Sequence, residues 1–438
     1  MYTSHIGKRF VQLYNERMNT DLQPKQFFLE QVFPKFYKHP KYFKWVVNSP
    51  IVQALKKDEK EQLKTFDEEQ EFRLAKLQTR IDTEEADMSF AIGFPPANQN
   101  FDTSGQVTNI PIVADEQEIY ASWIGAGFGI EVEGKQVWLI DEPDLLWIIF
   151  EGWEMYRELL NSPAIELKGN DIDAWNAVWL DFQLTTEKSS PKFMISNYVE
   201  REGDKYSLLG QTWYKMMFLF ADKFPKRRLK VHSARYIFDK QKYVTLGFAQ
   251  LELPEASRFY KSLFGSVSTE QRARLKALYK TQFGFAAAYE RFSLIGLRAL
   301  EPSDLQKFMP NGRDDMPKIK SDENSQFLYT IYIAWISAML NNQQLLDLAQ
   351  EAAQMLHIYT AGSKGAKTDR GNRVNELLGS ANRKRFIDIL TDIVDDDATI
   401  APVSDKLVHA LMTDIPIDNA PLFVTLIRFK YALPQVNN

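Results

Sequence analysis

"KVHSARYIFDKQKYVTLGFAQLEL", residues 230–253, decides how this chain is read. β-branched and aromatic residues alternate along it, broken by turn residues such as Asp and Lys, which is the pattern of strands in a sheet. The sequence before 90 and after 254 is mostly helical in period, so a strand-rich region here makes the fold α+β. Crossover helices between strand candidates are too few and irregular for a doubly wound parallel sheet, and a mixed or antiparallel sheet follows.

Upstream, "FMISNYVEREGDKYSLLG" (193–210) and "YASWIGAGFGIEVEGKQVWLIDEP" (120–143) carry the same signals, the second with a turn at Glu133-Gly134-Lys135. "DAWNAVWLDFQL" (173–184) is read with them as part of the strand-rich region. Residues 1–90 read as helical. Pro34 and Pro40 are expected to break that region into short pieces, and Asn48 or Ser49 with Pro50 to open a long charged helix. After Pro254 the helical period runs almost to the end. The expected organisation is an α+β body at 1–253 (helical 1–90, strand-rich 91–253), a helical connector at 254–320 and an all-helical C-terminal bundle at 321–438.

The bulk numbers agree with a folded protein of more than one domain: 438 residues, 45% hydrophobic and 25% charged. There is no cysteine, which excludes disulfides, thiolate zinc sites and cysteine nucleophiles and fits a reducing cytoplasm. The most apolar run, "FLYTIYIAWISAML" (327–340), suits a buried helix and is short for a membrane span, so no membrane partner is expected.

The net charge of −5 conceals two basic runs. "KFPKRRLKVHSAR" (223–235) holds Lys226, Arg227, Arg228, Lys230 and Arg235 without an intervening acid. "AGSKGAKTDRGNRVNELLGSANRKRF" (361–386) holds Lys364, Lys367, Arg370, Arg373, Arg383, Lys384 and Arg385 against a single Asp and a single Glu. Its "GSKGAKT" is no Walker loop, because Ala366 stands where that motif needs Gly and the preceding element is helical. Both runs suit backbone phosphates, and both equally suit solvated helix ends.

Chemistry is harder to place. Glu133 and Lys135 match the E-x-K half of a metal-dependent nuclease motif, with Asp115 as a conceivable partner acid, but the tripeptide reads as a hairpin turn. "GAGFG" (125–129) lacks dinucleotide-fingerprint spacing and reads instead as tight packing or a bulge. The five histidines are scattered, and "DIVDDD" (392–397) reads as a solvated helix end. No catalytic residue, metal or cofactor is expected, and a binding or scaffold protein is the better reading. Trp147, Trp153 and Tyr156 are the natural interface of the scaffold alternative.

"FFLEQVFPKFYKHPKYFKWVVNSPIVQ", "LIDEPDLLWIIFEGWEMYRELL" and "KTDRGNRVNELLGSANRKRFIDILTDIV" give the chain a resemblance. It resembles the large subunit of a type I CRISPR interference (Cascade) complex, in the divergent form without CxxC zinc motifs. That resemblance implies a cytoplasmic antiviral subunit whose partners are crRNA, target DNA, other subunits of the complex and a helicase-nuclease. It implies that the body reads a short flanking motif in duplex DNA, for which Asn98, Gln99, Asn100 and Gly127 are the candidate residues, and that the two basic runs hold backbone phosphates.

Overall fold

The computed structural model describes residues 1–41, 49–94, 114–167, 171–185, 193–237, 242–310, 317, 322–361 and 367–433. Of the expected reading residues Asn98, Gln99 and Asn100, and of the basic run Lys364, all lie outside this set; the side chain of Lys367 does too. The fold is α+β. The chain divides into two compact units, Met1–Lys223 with Arg227–Leu251, and Phe224–Lys226 with Glu252–Asn438.

In the first unit, α1 (Tyr2–Met18) packs on α5 (Glu116–Ala126). Between them in sequence come α2 (Pro24–Phe27), a π-helical turn at Phe28–Tyr37, α3 (Lys57–Glu61) and α4 (Phe66–Thr83). The expectation that Pro34 breaks the chain is corrected. The helix absorbs it by widening to i→i+5 bonding, with Lys38 N–H donating to the Phe33 carbonyl at 3.0 Å. The long charged helix starts at Phe66 and not at Pro50. Thr65 caps it in a reciprocal box with Glu68, whereas 49–53 form a turn.

The sheet of this unit has the order β1 (Ile130–Val132), β2 (Gln136–Ile140), β5 (Arg228–Ile237) and β6 (Lys242–Glu252). β1 and β5 both pair antiparallel with β2, in registers that set Trp138 opposite Ile130 and Ser233, and Leu139 opposite His232. A separate hairpin, β3 (Val199–Glu202) and β4 (Lys205–Leu208), turns at Gly203, whose φ of 65° is accessible to glycine at no steric cost. Three helices complete the unit: α6 (Pro143–Leu160), α7 (Ile172–Thr185) and α8 (Trp213–Lys223).

α7 corrects the strand reading of 173–184. Its residues from Ile172 to Asp181 are all buried, so the run has no solvent face to reveal its period. Trp175 and Trp179, four apart, stack at 5.7 Å on one side of the helix. Their indole N–H groups donate to the Gly152 and Ile148 carbonyls of α6 at 3.0 and 2.9 Å. The Trp179 ring occupies the space that a Cβ on Gly152 would take. Trp153 and Tyr156 lie on the same core with no exposed surface, which removes them as the interface of a scaffold; Trp147 is half-buried beneath Arg17.

Among its described residues the second unit is mainly helical, with the short strand β7 (Leu294–Ile295). It contains α9 (Leu253–Phe264), α10 (Thr269–Leu278), α11 (Phe285–Phe292), α12 (Glu323–Leu340), α13 (Gln343–Ala361), α14 (Lys367–Leu378), α15 (Arg383–Asp396), α16 (Ala401–His409) and α17 (Ala420–Ala432). The apolar run 327–340 forms most of α12, with Trp335 donating its indole N–H to the Leu297 carbonyl at 2.9 Å. Among the described residues no helix is long and apolar enough to cross a membrane.

Candidate nucleic-acid interface

The basic run at 223–235 becomes the end of α8, a turn and the strand β5. The strand's alternation sorts its residues by face. Leu229, Val231 and Ser233 turn inward, while Arg228 and Lys230 are exposed at the start of the strand and Arg235 near its end. Lys230 shares a face with His232; Arg235 lies on the opposite one. Lys230 and Arg235 have no acidic partner among the described residues. Arg227 does: its guanidinium meets the buried carboxylate of Glu142 and lies 3.8 Å from Asp144, at the start of α6. Lys226 is exposed.

His232 is nearly buried, at 5% exposure, and is covered by two rings. Tyr2, at the start of α1, lies 4.9 Å from it, and Phe248 of β6 lies 5.1 Å away at a steep angle. Tyr2 and Phe248 meet edge to face at 5.1 Å, so the three rings form one cluster. His5 stacks on Tyr2 at 5.4 Å, and its Nε2 is 2.9 Å from Asp141 Oδ2, just beyond β2. Arg9 Nε approaches the other oxygen of Asp141 at 3.4 Å. The cluster is thus pinned to the sheet from α1. Phe248 nonetheless keeps 56% of its surface exposed, and Leu246 keeps 40%.

Burial lowers the His232 pKa from 6.5 to about 4, leaving the ring neutral at physiological pH. Burial, reinforced by the Asp141 charge, pushes the Tyr2 hydroxyl up to about 12. The His232 shift has a sign in stability. Between about pH 6.5 and 4 the unfolded chain binds a proton at this histidine that the folded chain does not. Its contribution is fully present above pH 6.5 and is lost as the pH falls toward 4, by on the order of 3 kcal/mol. Urea midpoints across that window, compared between the parent and His232→Gln, are expected to show the variant with the flatter profile. Parallel profiles would refute the assignment.

The second basic run is arranged differently. Arg370 Nε lies 2.8 Å from Asp396 Oδ2 and its Nη1 3.6 Å from Asp397. The same guanidinium sits over the Tyr359 ring at 4.5 Å and donates to the Tyr359 carbonyl at 3.1 Å. Arg373 lies 3.7 Å from Asp396, Arg385 is 3.1 Å from Glu376, and Arg383 donates to the Ile415 carbonyl. Of the acids of "DIVDDD", Asp396 and Asp397 are therefore partners of Arg370 and Arg373, while Asp392 and Asp395 are exposed as expected. Lys384 is exposed and has no acidic partner among the described residues.

At the E-x-K motif, Glu133–Lys135 form a short 3₁₀ turn joining β1 to β2, as the hairpin reading expected. Lys135 pairs with Glu131 at 3.1 Å, and burial raises the Glu133 carboxyl above its ordinary value, with no ion-pair partner for it among the described residues. Asp115 is occupied as the cap of α5, accepting from Glu118 N–H at 2.7 Å. Among the described residues, no group of three or more His, Asp or Glu side chains could hold a metal ion.

Gly127 follows the end of α5, is buried, and its carbonyl accepts from the Asn176 amide at 2.8 Å, so no base edge reaches it there. Sequence reading missed the ring cluster altogether. Tyr2 and Phe248 are too far apart in the chain for any local pattern to join them, and the one available signal was a Phe at an outward position of a strand. No protein-family model, curated protein or solved structure matches the chain.

Proposed function

We propose that this chain is a non-catalytic nucleic-acid-binding subunit of an RNA-guided antiviral complex, holding the backbone of crRNA and target DNA. The observation that carries the reading is Lys230. It is an exposed cation without an acidic partner among the described residues, on the same strand face as His232, against which the exposed Phe248 ring packs, in a chain that is acidic overall and pairs many of its other cations internally. Phosphate contacts need that combination of charge and access. The assignment to an interference complex, and to its large subunit in particular, comes from the resemblance of the three stretches quoted above, and the reading of a flanking motif comes with it.

The test is a salt series. Binding of the intact chain to labelled nucleic acids is expected to weaken linearly in log–log form with added salt. Lys230→Gln and Arg235→Gln are each expected to lower the slope by about 0.7 to 0.9 where the cation contacts a phosphate, with similar losses across unrelated sequences. Absence of binding at low salt would overturn the reading for the isolated chain. Losses confined to a single sequence would overturn the backbone role.

A further inference from the structure

Phe248 raises a separate question from that of charge. A strand residue that is not needed by the core gains nothing in folding from a large ring left in water, and single exposed aromatics are common enough to carry no meaning alone. Here the ring is not alone. It is held edge to face by Tyr2 and packed on His232, and Tyr2 is in turn held through its stack on His5, which Asp141 anchors. Lys230 lies two residues from His232 on the same face of β5. The ring is therefore pre-positioned, with little side-chain freedom to lose when something stacks on it.

We propose that Phe248, backed by Tyr2 and His232, is a stacking platform for an unpaired base of a single-stranded nucleic acid, with Lys230 on an adjoining phosphate. The occupant follows from the chemistry of the face. A duplex keeps its bases stacked on one another and offers this ring only backbone, whereas a single strand presents flat base faces together with the negative charge that Lys230 complements. The neutral state of His232 keeps the base of the platform free of a buried charge. No base edge is read, so the platform is tolerant of sequence.

This inference rests on the nucleic-acid reading above, and its experiment separates the two. Affinities of the intact chain for single-stranded RNA, single-stranded DNA and duplex DNA of one length and mixed sequence are measured at fixed low salt. The proteins compared are the parent, Phe248→Ala, Phe248→Trp and Lys230→Gln. Phe248→Ala is expected to weaken single-strand binding roughly ten- to hundred-fold, with duplex binding within about two-fold and the salt slope unchanged. Phe248→Trp restores it. The RNA and DNA arms show which strand is carried. Unchanged single-strand affinity in Phe248→Ala, while Lys230→Gln still loses binding, overturns the platform and leaves the charge reading standing. Equal losses on single strands and duplex also overturn it. Failure of the parent to bind in any arm overturns both. Because Phe248 is more than half exposed but packs on Tyr2 and His232, the alanine variant is expected to lower the urea midpoint modestly and to remain folded without urea, where the affinities are measured, which separates lost stacking from lost structure.

Discussion

Gly125→Ala is expected to unfold the first unit or to leave it stable only at low temperature, with a loss above about 4 kcal/mol. α1 and α5 cross here with backbone against backbone. A Cβ on Gly125 would stand 1.8 Å from the Thr3 carbonyl oxygen and 2.7 Å from the Gly7 nitrogen, and one on Gly7 would stand 1.9 Å from the Ala121 carbonyl oxygen. None of these atoms ends a flexible side chain, so relief requires moving a whole helix. Movement is resisted on both sides. Thr3 donates to the Ile92 carbonyl at 2.6 Å, and Ser122 and Trp123 bond the backbone at Ile92 and Phe90. A loss of that size is most of the stability of a domain at the lower end of the roughly 5–15 kcal/mol range. Gly371→Ala is the matched control. No atom lies within 4 Å of its added Cβ, it lies inside α14, and it is expected to stabilise by about 0.5–1 kcal/mol. Thermal and urea unfolding of the two variants checks the pair. A Gly125→Ala midpoint within a few degrees of the parent would show that the crossing has slack.

The same crossing bears on function. Tyr2 reaches β5 and β6 because α1 is clamped to α5 five residues further along the chain at Gly7. A variant that loosens the clamp without unfolding the unit should therefore lose single-strand affinity along with Phe248→Ala, although it leaves Phe248 itself untouched.

How much of this was legible beforehand depends on the distance over which the deciding contacts act. The turns at Glu133–Lys135 and Gly203 were legible, since alternation and turn residues are local, but 120–126, read with the strands, are the end of α5. α7 was not legible, because a helix buried on all sides has no polar face and reads like a strand of a buried sheet. Pro34 misled for a different reason: a proline forbids the i→i−4 bond but not a helical course, and the π-turn supplies one. In "GAGFG" the expectation of tight packing was right in kind, and the partner, the Thr3 backbone, could be known only from the fold. The two charge runs are the sharpest case. The basic run was read as suited to phosphate or solvent and 392–397 as a solvated helix end, and Arg370 and Arg373 of the one meet Asp396 and Asp397 of the other.

That pairing sets the last prediction. Arg370→Ala is expected to cost the second unit about 2–4 kcal/mol, which is more than an exposed charge would. The guanidinium side chain is only 13% exposed, and it ties α14 to the end of α13 through the Tyr359 ring and carbonyl, and to the end of α15 through Asp396 and Asp397. Its removal takes the nearest cation from two partly buried carboxylates beside Asp395, leaving Asp396 to the Tyr359 hydroxyl and to Arg373 at 3.7 Å, and Asp397 to Thr399. A double-mutant cycle of Arg370→Ala with Asp396→Asn should therefore show coupling of about 1 kcal/mol or more, while Lys384→Ala, exposed and without an acidic partner among the described residues, should stay within about 0.5 kcal/mol of the parent. Nucleic-acid affinity sorts the same residues the other way. If this corner meets phosphate, the loss belongs to Lys384, and Arg370→Ala changes affinity only as far as it unfolds the unit. An Arg370→Ala protein with unaltered urea midpoint and a lowered salt slope would reverse that order, and would mean that this guanidinium exchanges its carboxylates for phosphate on binding.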